Sequence, residues 1–135
     1  MTLIDAGPLI ALLDQGDADH NACAEVVLDL RAPLVTTWPV FTEAQHLIAA
    51  KLGWLAQERL WHQVLRDELR LITLERESLQ RSYELMKKYR DVPMDLADAT
   101  LVAAAESLGV SRIFSLDSDF RVYRLHGRKA FDIVP

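Results

Sequence analysis

The chain has 135 residues, half of them hydrophobic and 26% charged, and a net charge of −5. Those values describe a soluble globular protein long enough to bury its own core, expected as one domain over residues 1–135. They argue against a protein that coats nucleic acid through a basic surface. No apolar run approaches the roughly 20 residues of a membrane span, and the single cysteine, Cys23, excludes an internal disulfide.

In chain order, "TLI" (2–4) reads as a short strand ending at Asp5. Gly7-Pro8 supplies a turn with Pro at a first helical position, and "LIALLD" starts a helix. Over residues 18–30, Ala22, Val26, Val27 and Leu30 have the spacing of one buried helix face, with Cys23 a small core residue beside them. "APLVTT" (32–37) reads as a second strand, and Pro39 opens a helix whose Phe41, Ala44, Leu47 and Ile48 are spaced for burial. After Gly53, residues 54–69 predict another helix, with Leu55, Leu60, Val64 and Leu65 inward. "LRLITL" (69–74) is a third strand, followed by a helix over about 76–89. Pro93 blocks helix upstream of Asp95, a natural N-cap for an Ala-rich helix from Leu96 to Leu108 that ends at Gly109. "SRIFSLD" (111–117) is a fourth strand ending at Asp117, and "FDIV" (131–134) a candidate fifth. Short apolar strands alternating with helices predict an α/β fold: a three-layer α/β/α domain around a parallel sheet of four or five strands.

The charge is unevenly distributed. Residues 1–50 carry −6 and residues 91–110 carry −4, whereas 51–90 carry +3 and 111–135 carry +2. The acidic stretches contain Asp5, Glu43, Asp95 and Asp98, and Asp117 ends the fourth strand. In an open parallel sheet, ligands sit beyond the carboxyl ends of the strands. Acids on strand ends and on neighbouring helix starts converge there. Clustered carboxylates repel one another and raise one another's pKa unless a cation neutralises them. An all-oxygen donor set, without cysteine or paired histidine, selects Mg²⁺ or Mn²⁺ before zinc. Such an ion activates water and stabilises charge on a phosphoryl oxygen, so the residues by themselves point to metal-assisted phosphoryl chemistry.

In four segments the sequence resembles the PIN-domain superfamily, and within it the VapC-type toxin ribonucleases. "LIDAGPLIALLD" resembles the family's first strand, first acid and following helix; "TEAQHLI" is similar to the segment bearing its second acid. "MDLADATLVAAAESLGV" resembles the third motif and "IFSLDSDF" the fourth. By position, the resemblance implies Asp5, Glu43, Asp98 and Asp117 as catalytic and metal-ligating acids, with Asp95 as a supporting residue or alternative ligand and Ser115 and Asp119 as supporting residues around them. It implies a Mg²⁺-dependent endoribonuclease (Mn²⁺ as the other candidate ion) that leaves a 3′-hydroxyl and a 5′-phosphate. It also implies a small antitoxin partner and a homodimer. One departure is the absence of a hydroxyl residue directly after the first acid, where this chain has Ala6-Gly7.

Other features have plain structural readings beside the functional ones. Lys87, Lys88 and Arg90, with Arg121, Arg124, Arg128 and Lys129, are candidates for RNA phosphate contacts or simply a solvated face. Trp38, Trp54 and Trp61 are expected in the core or at a dimer interface. The four histidines share no spacing suited to a metal or to catalysis. "IFSLDSDF" also mimics the Asp-x-Asp opening of a haloacid-dehalogenase-type phosphatase, but too little chain follows to complete such a site. A PIN-fold RNA-processing nuclease outside toxin systems, and a catalytically silent RNA- or partner-binding domain, are the alternative functions. The N-terminal segment lacks a basic start and is interrupted by Asp5, unlike a signal peptide, and one cysteine fits a reducing compartment; the expectation is a cytoplasmic protein without a membrane.

Overall fold

Strand β1 (Thr2–Ile4) is buried at every position, because it lies in the middle of a five-stranded sheet. The computed structural model describes residues 1–135. β1 pairs in parallel with β2 (Leu34–Thr37) on one side and β4 (Arg112–Phe114) on the other. β3 (Leu69–Ile72) extends the sheet beyond β2, and β7 (Asp132–Val134) beyond β4, both in parallel register. The order is β3-β2-β1-β4-β7, so the expected parallel α/β sheet is present with its fifth strand. Two short strands not read from the sequence, β5 (Arg124–Leu125) and β6 (Lys129–Ala130), form a separate antiparallel hairpin.

Six helices cover the sheet: α1 (Ala6–Leu13), α2 (His20–Asp29), α3 (Trp38–Leu52), α4 (Trp54–Leu65), α5 (Arg76–Lys88) and α6 (Leu96–Leu108). No helix is long and apolar enough to cross a membrane. α1 begins at Ala6, two residues before Pro8, because the Asp5 side chain caps it by accepting the Ala6 N–H. α6 is bounded as its sequence predicts: the Asp95 carboxylate caps its start and Gly109, at φ 66°, ends it in the left-handed region. Every residue from Ala97 to Ala105 is buried, so the middle of this helix has no solvent face. Its run of alanines follows from that enclosure, since α3 and α5 both pack against it and larger side chains would hold them apart.

The outer helices depart from the sequence reading. Ala22 on α2, Leu47 on α3, and Leu55 and Leu65 on α4 are exposed. On α4 the covered row is Ala56 and Leu60, with Val64 partly buried. Successive residues four apart form one narrow row, so Leu55 and Leu65 fall to either side of the contact line. The tryptophans divide as well. Trp61 packs edge-on against Phe41 with centroids 5.0 Å apart, whereas Trp38 is 49% exposed and Trp54 60%. Cys23 is fully buried, and burial pushes its thiol up to about 11, which leaves it an inert core residue.

Leu101 is fully enclosed in the middle of α6. Replacing it with Ala is expected to lower the unfolding free energy by about 2–5 kcal/mol. Urea denaturation checks this, with a lower midpoint and an unchanged slope.

Candidate functional site

The two central strands of the sheet, β1 and β4, deliver their acids to the same end. Asp5 directly follows β1, and its backbone N–H donates to the Phe114 carbonyl at 3.0 Å, locking it to the end of β4. Asp117 lies three residues beyond β4, where it caps a 3-10 turn over Ser118–Arg121. Asp98 sits in the first turn of α6. One carboxylate oxygen from each of Asp5, Asp98 and Asp117 can be chosen so that all lie within 4.8 Å of one another.

Each carboxylate is held by short-range donors. The Asp5 Oδ1 accepts the Ala6 N–H at 2.8 Å, and its Oδ2 accepts the Ser115 hydroxyl at 2.9 Å. The same Ser115 oxygen accepts the Asp117 N–H at 3.1 Å, so one hydroxyl ties two of the acids together. The Asp117 Oδ1 accepts the Asp119 N–H at 2.9 Å; Asp119 contributes its backbone, and its carboxylate is outside the close group. Tyr123, fully buried, donates its hydroxyl to the Asp98 Oδ2 at 2.8 Å. Asp95 is exposed and spends its Oδ1 on the Asp98 N–H at 2.8 Å, the N-cap role.

Glu43 behaves differently from the other three. It lies five residues past the start of α3 and lines the same cleft of about 330 Å³ with Asp5, Asp95, Asp98 and Asp117. It is exposed, and its carboxylate does not join the close group. The cleft thus holds three converging acids, with a fourth at its rim.

The electrostatics follow from this crowding. Burial raises the pKa of Asp5, and the charges of Asp117 and Asp95 raise it further, against the Ala6 and Ser115 hydrogen bonds. Burial, helped by the charges of Asp95, Asp5 and Asp117, pushes Asp98 up to about 8, against the lowering effect of Tyr123. Glu43 is raised by partial burial and by the charges of Asp95, Asp5 and Asp117. No cationic side chain lies within 4.0 Å of any of these carboxylates. A divalent cation fits this arrangement: the donors are all oxygen, preformed, and left without any positive counterpart from the chain.

Tyr123 is the site residue that sequence reasoning missed. The available signal was a tyrosine three residues after Phe120 in a turn leaving an acid motif. A buried tyrosine needs a hydroxyl partner, and Asp98 provides one. The basic candidates lie elsewhere. Lys87, Lys88 and Arg121 are exposed, while Arg90 and Arg124 turn their guanidinium groups onto backbone carbonyls of Lys87 and of Arg121 and Tyr123.

Comparison with known proteins identifies the family and the fold. The chain is 25% identical over 134 residues to the ribonuclease VapC26 of Mycobacterium tuberculosis, covering 98% of this chain and 99% of that one. Its fold superposes on the crystal structure of M. tuberculosis VapC20, described as a sarcin-ricin loop cleaving toxin, with a TM-score of 0.84 at 19% identity, covering 90% of this chain and 94% of that one. A toxin-antitoxin complex from Klebsiella pneumoniae matches with a TM-score of 0.69 at 16% identity, over 89% and 90% of the two chains. The PIN domain family model matches residues 2–125, which span the sheet's four main strands and all three converging acids, and the chain therefore belongs to the PIN domain family.

Proposed function

We propose that residues 1–135 form one nuclease domain, a Mg²⁺- or Mn²⁺-dependent endoribonuclease that acts as the toxin of a toxin-antitoxin pair. The observation that carries this reading is the convergence of Asp5, Asp98 and Asp117, with oxygens within 4.8 Å and no cation from the chain beside them. The family and the ribonuclease relative supply the substrate class.

Asp5, Asp98 and Asp117 would hold a divalent ion, which would supply an activated water and compensate charge on the phosphodiester oxygens in a hydrolysis leaving a 3′-hydroxyl and a 5′-phosphate. The chain's own contribution is positioning. Ser115 fixes Asp5 and the Asp117 backbone together, and Tyr123 occupies one oxygen of Asp98 so that the other is free for the cleft. Glu43, held at the rim on α3, completes the acid set. Exposed Trp38, Leu47 and Leu96 around this cleft offer apolar surface to an antitoxin or to a second copy of the chain. Such a protein works in the cytoplasm, beside its RNA.

Asp5→Asn and Asp117→Asn are expected to lower the rate of RNA cleavage at least about 100-fold, the scale on which a group stabilising transition-state charge acts. Labelled RNA incubated with purified protein and Mg²⁺ checks this, and undiminished cleavage by Asp5→Asn would sink the proposal. Tyr123→Phe is expected to lower activity or metal affinity by about 10–100-fold, with partial recovery at high Mn²⁺.

The pH dependence has a defined sign. In metal-free protein Asp98 holds its proton up to about pH 8, whereas the unfolded chain loses it near 4. Between those limits the folded state binds more protons, so stability falls as pH rises. Melting temperature in a chelator is therefore expected to be lower at pH 8 than at about pH 5.5, with the slope flattened in Asp98→Asn. Added Mg²⁺ or Mn²⁺ raises it most at the upper end, where the carboxylate no longer has to release a proton to bind.

A further inference from the structure

A cleft lined by five carboxylate residues repels the phosphates of any polyanion, and the chain as a whole carries −5. If the substrate is RNA, as proposed above, its affinity must be supplied by another surface. The distribution of unpaired cations identifies one. Lys51, Arg70, Arg81 and Arg112 are each ion-paired with an acid. Lys87, Lys88, Arg121, Arg128 and Lys129 have no carboxylate within 4.0 Å, and all five are exposed. The other unpaired arginines either bond backbone carbonyls, as Arg90 and Arg124 do, or lie away from the end of α5 and the hairpin: Arg31 after α2, Arg59 and Arg66 on α4 and at its C-cap, and Arg76 at the opposite end of α5.

The five come from two parts of the chain that the fold joins. Lys87 and Lys88 end α5; Arg121 ends the 3-10 turn after Asp117, and Arg128 and Lys129 lie on the β5–β6 hairpin. The Arg124 N–H donates to the Tyr89 hydroxyl at 3.1 Å, holding the start of the hairpin against the end of α5. The Lys88 Nζ lies 3.8 Å from where a Cβ on Gly127 would sit, which brings it to the hairpin tip. That tip is a tight turn, with His126 at φ 51° and Gly127 at φ 72° and the Arg128 N–H donating to the Leu125 carbonyl at 3.0 Å. It is anchored below by the His126 N–H, which donates to the Glu106 carboxylate. The basic residues are thus carried on fixed backbone.

This face adjoins the acidic cleft. The Tyr89 and Tyr123 rings meet edge-on at 5.1 Å, and the Tyr123 hydroxyl reaches Asp98, so two aromatic side chains separate Lys88 from the carboxylates. We infer that Lys87, Lys88, Arg121, Arg128 and Lys129 form a phosphate-binding face that holds the backbone of an RNA strand as it leaves the cleft. Lysine and arginine heads on an exposed surface recognise phosphates without reading bases, so the face sets affinity and register and leaves sequence choice to the cleft and its rim.

The test compares wild type with Lys87→Ala/Lys88→Ala, Arg128→Ala/Lys129→Ala and the fourfold variant, after thermal melts confirm folding. Binding of a fluorescein-labelled single-stranded RNA of about 20 nucleotides is measured by anisotropy in EDTA across a salt series, with cleavage of that RNA and of a tetranucleotide measured in Mg²⁺. Each pair is expected to weaken binding several-fold and to reduce the slope of log affinity against log salt by about 0.7 for each phosphate no longer neutralised. In the fourfold variant the ratio of kcat/KM on the long RNA to that on the tetranucleotide falls about tenfold or more. RNA affinity and salt slope untouched by the fourfold change, in a wild type that cleaves, overturn the face and leave the nuclease reading standing. Wild-type binding that depends on these residues without any cleavage does the reverse. Wild-type binding to polyglutamate but not to RNA assigns the face to an acidic protein and overturns the inference.

Discussion

The mutual repulsion of three carboxylates is the constraint around which this structure is organised. Asp5, Asp98 and Asp117 bring oxygens within 4.8 Å of one another, and two of them are buried, where repulsion is least screened. Nothing in their own chemistry favours that arrangement, so the surrounding fold has to impose it. It does so by deriving each acid from a different rigid element. β1 and β4 are neighbours in the sheet and carry Asp5 and Asp117 to a common end, while α6, which packs against α3 and α5, lowers Asp98 onto them. The hydrogen bonds then divide the work: backbone N–H groups and the Ser115 and Tyr123 hydroxyls stabilise individual oxygens without neutralising the total charge. The residual negative charge suits the site to a hard divalent cation.

The same constraint explains the segregation of charge over the molecule. Placing lysine or arginine beside the carboxylates would relieve the repulsion and occupy the oxygens at the same time. The cations are instead spent in ion pairs with other acids, such as Arg81 with the part-buried Glu106, or left free, on the hairpin and the end of α5 among other places. A strongly negative cavity and a separate positive surface are the two parts that a metal-assisted reaction on a polyanion calls for, and they are separated here by a layer of tyrosine rings.

Much of this is legible in the residues. The strand–helix alternation, the bounds of α6 and the placement of Asp5 and Asp98 follow from local signals: an Asp before a helix, Pro93 upstream, Gly109 at the end. Those signals act over a few residues, which is why they survive without knowledge of the rest. What escapes depends on partners distant in sequence. The β5–β6 hairpin has strands of two residues, too short for any alternation to register. Tyr123 has a meaning only once Asp98 is known to lie beneath it. Leu55 and Leu65 fit a helical stripe but miss the actual line of contact, because periodicity gives a face and leaves its width to the neighbouring helix. Glu43 reads in the sequence as an equal member of the acid set; the extra turn of α3 before it sets it back to the rim.

The enclosure of the middle of α6 has a bearing on how such a scaffold can be altered. From Ala97 to Ala105 no position opens outward, so this stretch offers no room for added bulk and no face for solubilising changes. The hairpin tip, with His126, Gly127 and Arg128, and the outer side of α4, with Leu55, Arg59 and Leu65, have the opposite character and stand exposed. Anyone seeking to redirect the protein toward a new target would find its freedom there, and would have to inherit the central helix as it stands.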